Sequence, residues 1–235
     1  MSAFEFLETL ATTRAIRRYT TDPIPDDDLA AILFAATRGP SGSNRQPFRF
    51  LVLRDGARAA RAKAILGTSF RAGWETKRAA DGYDEGSGQR DESPKARLAA
   101  AMQHYVDHIE QVPVVVLACL VRYRPPNPYE GASVYPACQN LLLAARSLGY
   151  GGVMTGWHQP VEAELRALLG IPDGVAISTT ITLGKPAGRH GPVRRRPVKE
   201  LVFDDEWESG APWAAEPEQT RHTNAGPPTG RNINA

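Results

Sequence analysis

Between Val112 and Val121 the chain holds Val114, Val115, Val116, Leu117, Ala118 and Leu120 in one continuous apolar run. A strand with one wet face alternates apolar and polar residues, so an unbroken run this short suits a central strand covered on both faces. A core of that kind is within reach of 235 residues, 42% of them hydrophobic, and the length favours one domain carrying an insertion or a tail. The 28 basic residues nearly balance the 26 acidic ones, leaving +2, so overall charge recruits neither nucleic acid nor an anionic membrane. No apolar stretch approaches bilayer length and the N-terminus lacks a leader pattern, so a cytoplasmic protein without a membrane partner is expected. Cys119 lies in the apolar run and Cys138 in a helical stretch, without the spacing of a zinc site or disulfide framework, and both read as packing residues.

The elements around this strand follow from periodicity. Phe4, Leu7 and Leu10 mark a first amphipathic helix over 4–12, and Asp26, Asp27 and Asp28 open a second whose stripe is Leu29, Ile32, Leu33 and Ala36. Residues 48–53 read as a strand and 57–66 as a helix. The stretch 68–93 is polar and glycine-bearing, with Trp74 and Tyr83 in it, and a helix over 95–111 follows on Leu98, Met102, Tyr105 and Ile109. An excursion of this length is a candidate lid, the alternative being a solvated loop. Residues 133–148 form a deeply buried helix stopped at Gly149, 151–157 a short strand or crossing loop, 160–169 a helix stopped by Gly170, and 175–183 a β-branched strand. The expected organisation is a single domain over 1–207 with a lid insertion near 68–111. The Pro/Gly/Asn-rich extension 208–235 has a composition that orders only when another surface holds it, and a partner subunit is the expected surface.

The common catalytic constellations are missing: no nucleophile elbow, no His-Glu-x-x-His, no phosphate loop and no dinucleotide glycine fingerprint. His104 and His108 stand one helical turn apart without a third ligand, so they read as a helix-surface pair and no metal is expected. His158 is open between a substrate-facing role and a capping or surface one. Arg14 and Arg17, three apart at the end of a helix, can present two guanidinium forks to one anion, with Arg195 completing the cage, and a phosphate suits that geometry. Arg18 and Arg196 read as surface ion-pair residues. Ser41, Ser43, Asn44 and Gln46 supply hydroxyls and amides suited to the carbonyls and nitrogens of a heterocycle.

Four motifs then occur in order: Thr13-Arg14-Ala15-Ile16-Arg17-Arg18-Tyr19; Pro-Ser-x-x-Asn-x-Gln-Pro-aromatic from Pro40 to Phe48; Leu148-Gly149-Tyr150-Gly151-Gly152; and Gly184-Lys185-Pro186-Ala187 leading to Arg194-Arg195-Arg196-Pro197. Together they resemble the nitroreductase family of FMN enzymes over about residues 10–203. The resemblance implies an α+β fold, a mixed central sheet flanked by helices, and an intertwined homodimer with flavin at the subunit interface. It places Arg14, Ala15 and Arg17 at the cofactor, with Arg195 and Arg194 closing on the phosphate. Pro40, Ser41, Asn44 and Gln46 would line the flavin, some from the other subunit, and Met154, Thr155 and Gly156 would pack on the ring. Ala15 stands where serine is common and Thr13 where arginine is frequent, and both departures bear on cofactor affinity. The missing triad is explained in the same way, because the flavin carries the redox chemistry. NADH or NADPH would reduce it and a nitroaromatic or quinone-like acceptor would be reduced in turn, by ping-pong two-electron transfer, under an aromatic cover of Trp74, Tyr83 and Tyr105. Flavin-dependent dehalogenation or flavin fragmentation is the alternative enzyme reading, and Glu75, Lys77 or Tyr83 meeting a zwitterionic amino acid would favour dehalogenation. An FMN-sequestering protein is the non-enzyme one.

Overall fold

The structure, a computed structural model, describes residues 3–188, 190–193 and 195–216. Arg194 and most of the extension 208–235 lie outside the described residues. The described residues divide into two compact units, 3–14 with 190–216 and 15–188. In the smaller unit, α1 (Ala3–Thr12) is tied by Val193 N–H donating to the Ala11 carbonyl at 3.0 Å, and a bridge joins Phe203 to Gly210. Trp207 and Trp213 are exposed there, at 84% and 67%.

The larger unit contains α2 (Asp26–Ala36), β1 (Phe48–Leu53), α3 (Ala57–Ala80), α4 (Pro94–Asp107), β2 (Val114–Val121), α5 (Tyr135–Ser147), β3 (Gly151–Thr155), α6 (Glu162–Leu169) and β4 (Val175–Gly184). The strands form one sheet in the order β1-β2-β4-β3, each neighbouring pair antiparallel. A parallel bridge between Ala15 and Gly152 adds the parallel component, so the expected α+β sheet is present in a mainly antiparallel form.

The apolar run is the central strand. Residues 114–120 are all buried, and they alternate between two cores. Val115, Leu117 and Cys119 pack with Leu66, Phe70, Val106 and Leu165, from α3, α4 and α6. Val114, Val116 and Ala118 pack with Ile32, Ala36, Leu141 and Ala145, from α2 and α5. Cys119 and Cys138 are both free and buried, and burial pushes their thiols up to about 11 and about 12.

The structure corrects the reading of 68–93. Helix α3 does not stop near Leu66 but runs 24 residues to Ala80. Leu66, Phe70 and Trp74 recur every four residues and are all buried, so the apolar face of the helix continues past Leu66 while Thr68, Arg71, Glu75 and Thr76 are exposed on the other side. Its glycines mark close approaches rather than breaks. A Cβ on Gly67 would meet the Glu110 carboxylate at 2.0 Å, and one on Gly73 would meet the Trp157 indole at 3.3 Å. Irregular backbone is confined to residues 81–93, after which Ser93 caps α4 by accepting from the Ala96 N–H at 3.0 Å, with Pro94 in the first turn.

Helices α2 and α5 approach through Gly39, whose added Cβ would lie 2.6 Å from the Ala137 nitrogen and 2.7 Å from its Cα. Gly39→Ala is therefore expected to destabilise the fold by about 1–3 kcal/mol through forced separation of backbones. A lowered urea midpoint at unchanged m value is the readout, and an unshifted midpoint contradicts this packing.

Candidate functional site

The site is built on residues 15–20, which lie along one end of the sheet. Ile16 N–H donates to the Gly152 carbonyl at 3.0 Å, Thr20 N–H to Lys185 at 2.9 Å, and Ala187 N–H to Arg18 at 2.9 Å. Two glycines permit this contact, and a third between them admits the neighbouring strand β4. A Cβ would meet Ile16 at 2.5 Å on Gly151, the Thr182 carbonyl at 2.5 Å on Gly152, and the Tyr19 ring at 2.9 Å on Gly184. With Ile16 buried on one side, Arg17 emerges on the other, into a cavity of about 400 Å³.

Strand β3 supplies Val153, Met154 and Thr155 to the cavity, and Trp157 follows them. Helix α4 supplies Leu98, Met102 and Tyr105, and the opposite rim carries Lys77 and Tyr83. Lys77 is paired with Asp81 across one helical turn. The wall is largely apolar and aromatic, with one guanidinium at its edge. Such a lining takes a planar, partly anionic group.

Beneath Arg17 runs a chain of hydroxyls. Tyr19 O–H donates to the Ile16 carbonyl, which consumes its only proton. The 2.9 Å contact between Tyr19 and Thr182 Oγ1 is then donated by Thr182, and the 3.0 Å contact between Tyr105 and Thr182 by Tyr105. Burial holds both phenols well above their usual range, so each stays protonated. The chain Tyr105 to Thr182 to Tyr19 to Ile16 thus has every proton committed internally and acts as a rigid floor.

Of the residues expected from sequence, Arg17, Met154, Thr155, Tyr83 and Tyr105 are brought together. Gly156 directly follows β3, with its Cβ position 3.7 Å from Gln159 Nε2. Trp74 is packed in the core against Tyr83, ring centroids 5.1 Å apart, and its Nε1 donates to Gln103 at 2.9 Å. Arg14, in the smaller unit, donates from Nη1 to the Gly191 carbonyl at 3.1 Å, and Ala15 and Arg195 are exposed. Pro40, Asn44 and Gln46 are exposed and Ser41 half-buried, in a turn away from this chain's own cavity lining. Ser41 Oγ accepts from Gln46 N–H at 2.9 Å, and Gly42 N–H donates to Ser133 Oγ at 3.2 Å. Ser43, Asn44 and Gln46 take φ of 52°, 50° and 49°, left-handed values that non-glycine residues adopt only under constraint. His158 is fully buried and donates from Nε2 to the Ile177 carbonyl at 2.8 Å, so it neither faces substrate nor caps at the surface. Leu98 and Met102 lie on an apolar stripe whose spacing is the same whether it faces a core or a cavity, so sequence does not assign them to the site.

A second, smaller cavity of about 200 Å³ shares Arg17 and Tyr105 and is lined by Tyr19, Thr20, Thr21, His104, His108 and Gln111. The two imidazoles stack at 4.1 Å between centroids. Among the described residues no helix is long and apolar enough to cross a membrane.

Comparison with known proteins gives a consistent result. The model of the nitroreductase family matches residues 10–185. A protein of Archaeoglobus fulgidus named NADH dehydrogenase/NAD(P)H nitroreductase is 30% identical over 184 residues, covering 77% of this chain and 86% of the relative. The iodotyrosine deiodinase of Thermotoga neapolitana is 25% identical over 189 residues, 80% of this chain and 91% of its own length. Among solved structures, a Desulfovibrio desulfuricans chain described as a nitroreductase in complex with FMN has a TM-score of 0.60 at 28% identity, covering 86% of this chain and 97% of that one.

The hydroxyl chain generates a test of its own. Thr182→Val leaves the Tyr105 proton buried without an acceptor, and a loss of about 1–3 kcal/mol is expected in chemical denaturation. Thr182→Ser, which keeps the hydroxyl, is expected to recover most of that loss.

Proposed function

This chain belongs to the nitroreductase family as an FMN-dependent NAD(P)H oxidoreductase, and we propose that it reduces nitroaromatic or quinone-like acceptors in a ping-pong order. The observation that carries the reading is the 400 Å³ cavity lined by Arg17 and Lys77, by Val153, Met154 and Thr155 of β3, and by apolar and aromatic side chains around the rest. That donor set fits FMN: flat apolar walls for a tricyclic ring and a fixed cation for its electron-rich edge. Bound there, FMN supplies reversible two-electron redox chemistry. The protein's part is positional and electrostatic. Arg17 would hold the cofactor and favour the negative charge that reduction adds, because the guanidinium remains charged at any working pH. Arg14, Arg194 and Arg195 are assigned to the phosphate, and Met154, Thr155 and Gly156 to the ring face. Tyr105, fixed by Thr182, keeps the floor from shifting, while Leu98, Met102 and Tyr83 exclude water from the acceptor's side.

The working unit in this reading is a cytoplasmic homodimer. The turn that holds Pro40, Ser41, Asn44 and Gln46 takes left-handed φ at Ser43, Asn44 and Gln46, is largely exposed and contributes no residue to its own cavity lining, which suits residues that act on a neighbouring subunit's cofactor. Phe34 on α2, 64% exposed, supplies apolar surface for such an interface. Dehalogenation of a tyrosine-like substrate is the second reading, favoured by Lys77 and Tyr83 at the cavity rim. Glu75, by contrast, is exposed and does not line it.

Arg17→Ala is expected to weaken FMN binding about 10- to 150-fold, since a charge-assisted contact is worth about 1.5–3 kcal/mol. Fluorescence titration of the apoprotein measures it, and unchanged affinity removes Arg17 from the cofactor. Anaerobic mixing of the FMN-loaded protein with NADH or NADPH is expected to bleach the flavin within one turnover, with colour returning on addition of a nitroaromatic or quinone. A flavin that stays yellow supports sequestration instead, and turnover confined to a halogenated tyrosine supports the second reading.

A further inference from the structure

We propose that the smaller cavity is a separate oxyanion subsite, in which the His104–His108 pair, Arg17 and Gln111 bind a phosphate or carboxylate group carried by a redox partner. The cavity is lined by one guanidinium, two imidazoles, one amide and the hydroxyl-bearing Thr20 and Thr21, with no carboxylate among its lining residues. That is a donor-rich surface suited to an anion.

The imidazoles are set to respond to protonation. His108 Nδ1 lies 2.8 Å from the His104 carbonyl, and a carbonyl only accepts, so Nδ1 carries the proton. In neutral His108 the remaining Nε2 is therefore an acceptor, and it becomes a second N–H donor only when the ring is protonated. His104 faces His108 from its own helix, Arg18 from the segment beside the sheet, and Asp107 as the opposing acid. Burial first, then His108 and Arg18, holds its pKa below the usual imidazole range, with Asp107 working against them. The stacked rings at 4.1 Å resist taking two charges, and a bound anion relieves that repulsion. Anion affinity should then rise as pH falls through the titration of His104, because its protonated ring binds and its neutral ring does not.

Arg17 and Tyr105 line both cavities, so an oxyanion held here belongs to a molecule whose reactive part reaches the larger one. Two sources share that chemistry, the phosphates of a nicotinamide dinucleotide and the carboxylate of an acidic aromatic acceptor. Sulfate is the probe, since its charge is constant between pH 5.5 and 8, and the FMN-loaded protein is used so that the cofactor's phosphate residues are already occupied. Calorimetry should show about tenfold tighter sulfate binding at pH 5.5 than at pH 8, and ¹H–¹⁵N spectra should show the His104 titration displaced upward by sulfate. His104→Asn/His108→Asn is expected to abolish the pH dependence. In steady-state kinetics sulfate should compete with one substrate: a raised KM for NADH or NADPH identifies the dinucleotide phosphate, and a raised KM for a carboxylated acceptor identifies the acid. A wild-type His104 that titrates identically with and without sulfate overturns the proposal, as does a double variant that binds sulfate with unchanged pH dependence.

Discussion

Strand β2 is buried on both faces, and most of the larger unit answers to that fact. A strand without a wet face needs hydrogen-bond partners on both edges and apolar cover on both sides. Strands β1 and β4 take the edges, α3, α4 and α6 cover one face, and α2 and α5 cover the other. Once β4 is fixed against β2, β3 can pair only on its far side, and residues 15–20 close along that end. The position of Arg17 is thus a late consequence of packing around seven apolar residues.

The site depends on close backbone approach and on committed protons. Gly151 and Gly184 admit Ile16 and Tyr19 at distances no side chain would leave open, and Gly152 does the same for the Thr182 carbonyl of β4. The hydroxyl chain then fixes Tyr105 and Tyr19 relative to Thr182 without leaving a proton for other uses. Rigidity of this kind suits a protein whose chemistry is performed by a bound group, since what remains for the chain is to hold geometry and charge constant.

The same physics explains what was and was not legible beforehand. Strand β2, the acidic first turn of α2 and the Gly170 stop of α6, with its φ of 66°, follow from local patterns that have one structural outcome. The extent of α3 does not, because its polar residues and glycines resemble a loop until Glu110 and Trp157 are seen to occupy the space the glycines leave. Leu98 and Met102 formed a visible stripe, yet whether a stripe meets a core or a cavity is decided by the element opposite. His104 and His108 were visible as neighbours on a helix, while the cavity beside them exists only because residues 17–21 pass there.

Sequence by itself determined the central strand and the order of the motifs, since each rests on residue type and short-range spacing, and the α+β class and the naming of Arg17, Met154 and Thr155 as cofactor candidates came from the family resemblance those motifs carry. Tertiary structure alone decided that Trp74 and His158 are core residues, that α3 runs to Ala80, and that two cavities share Arg17 and Tyr105. These outcomes turn on distances between residues far apart in the chain, and burial, unlike periodicity, is a property of what the rest of the fold places nearby.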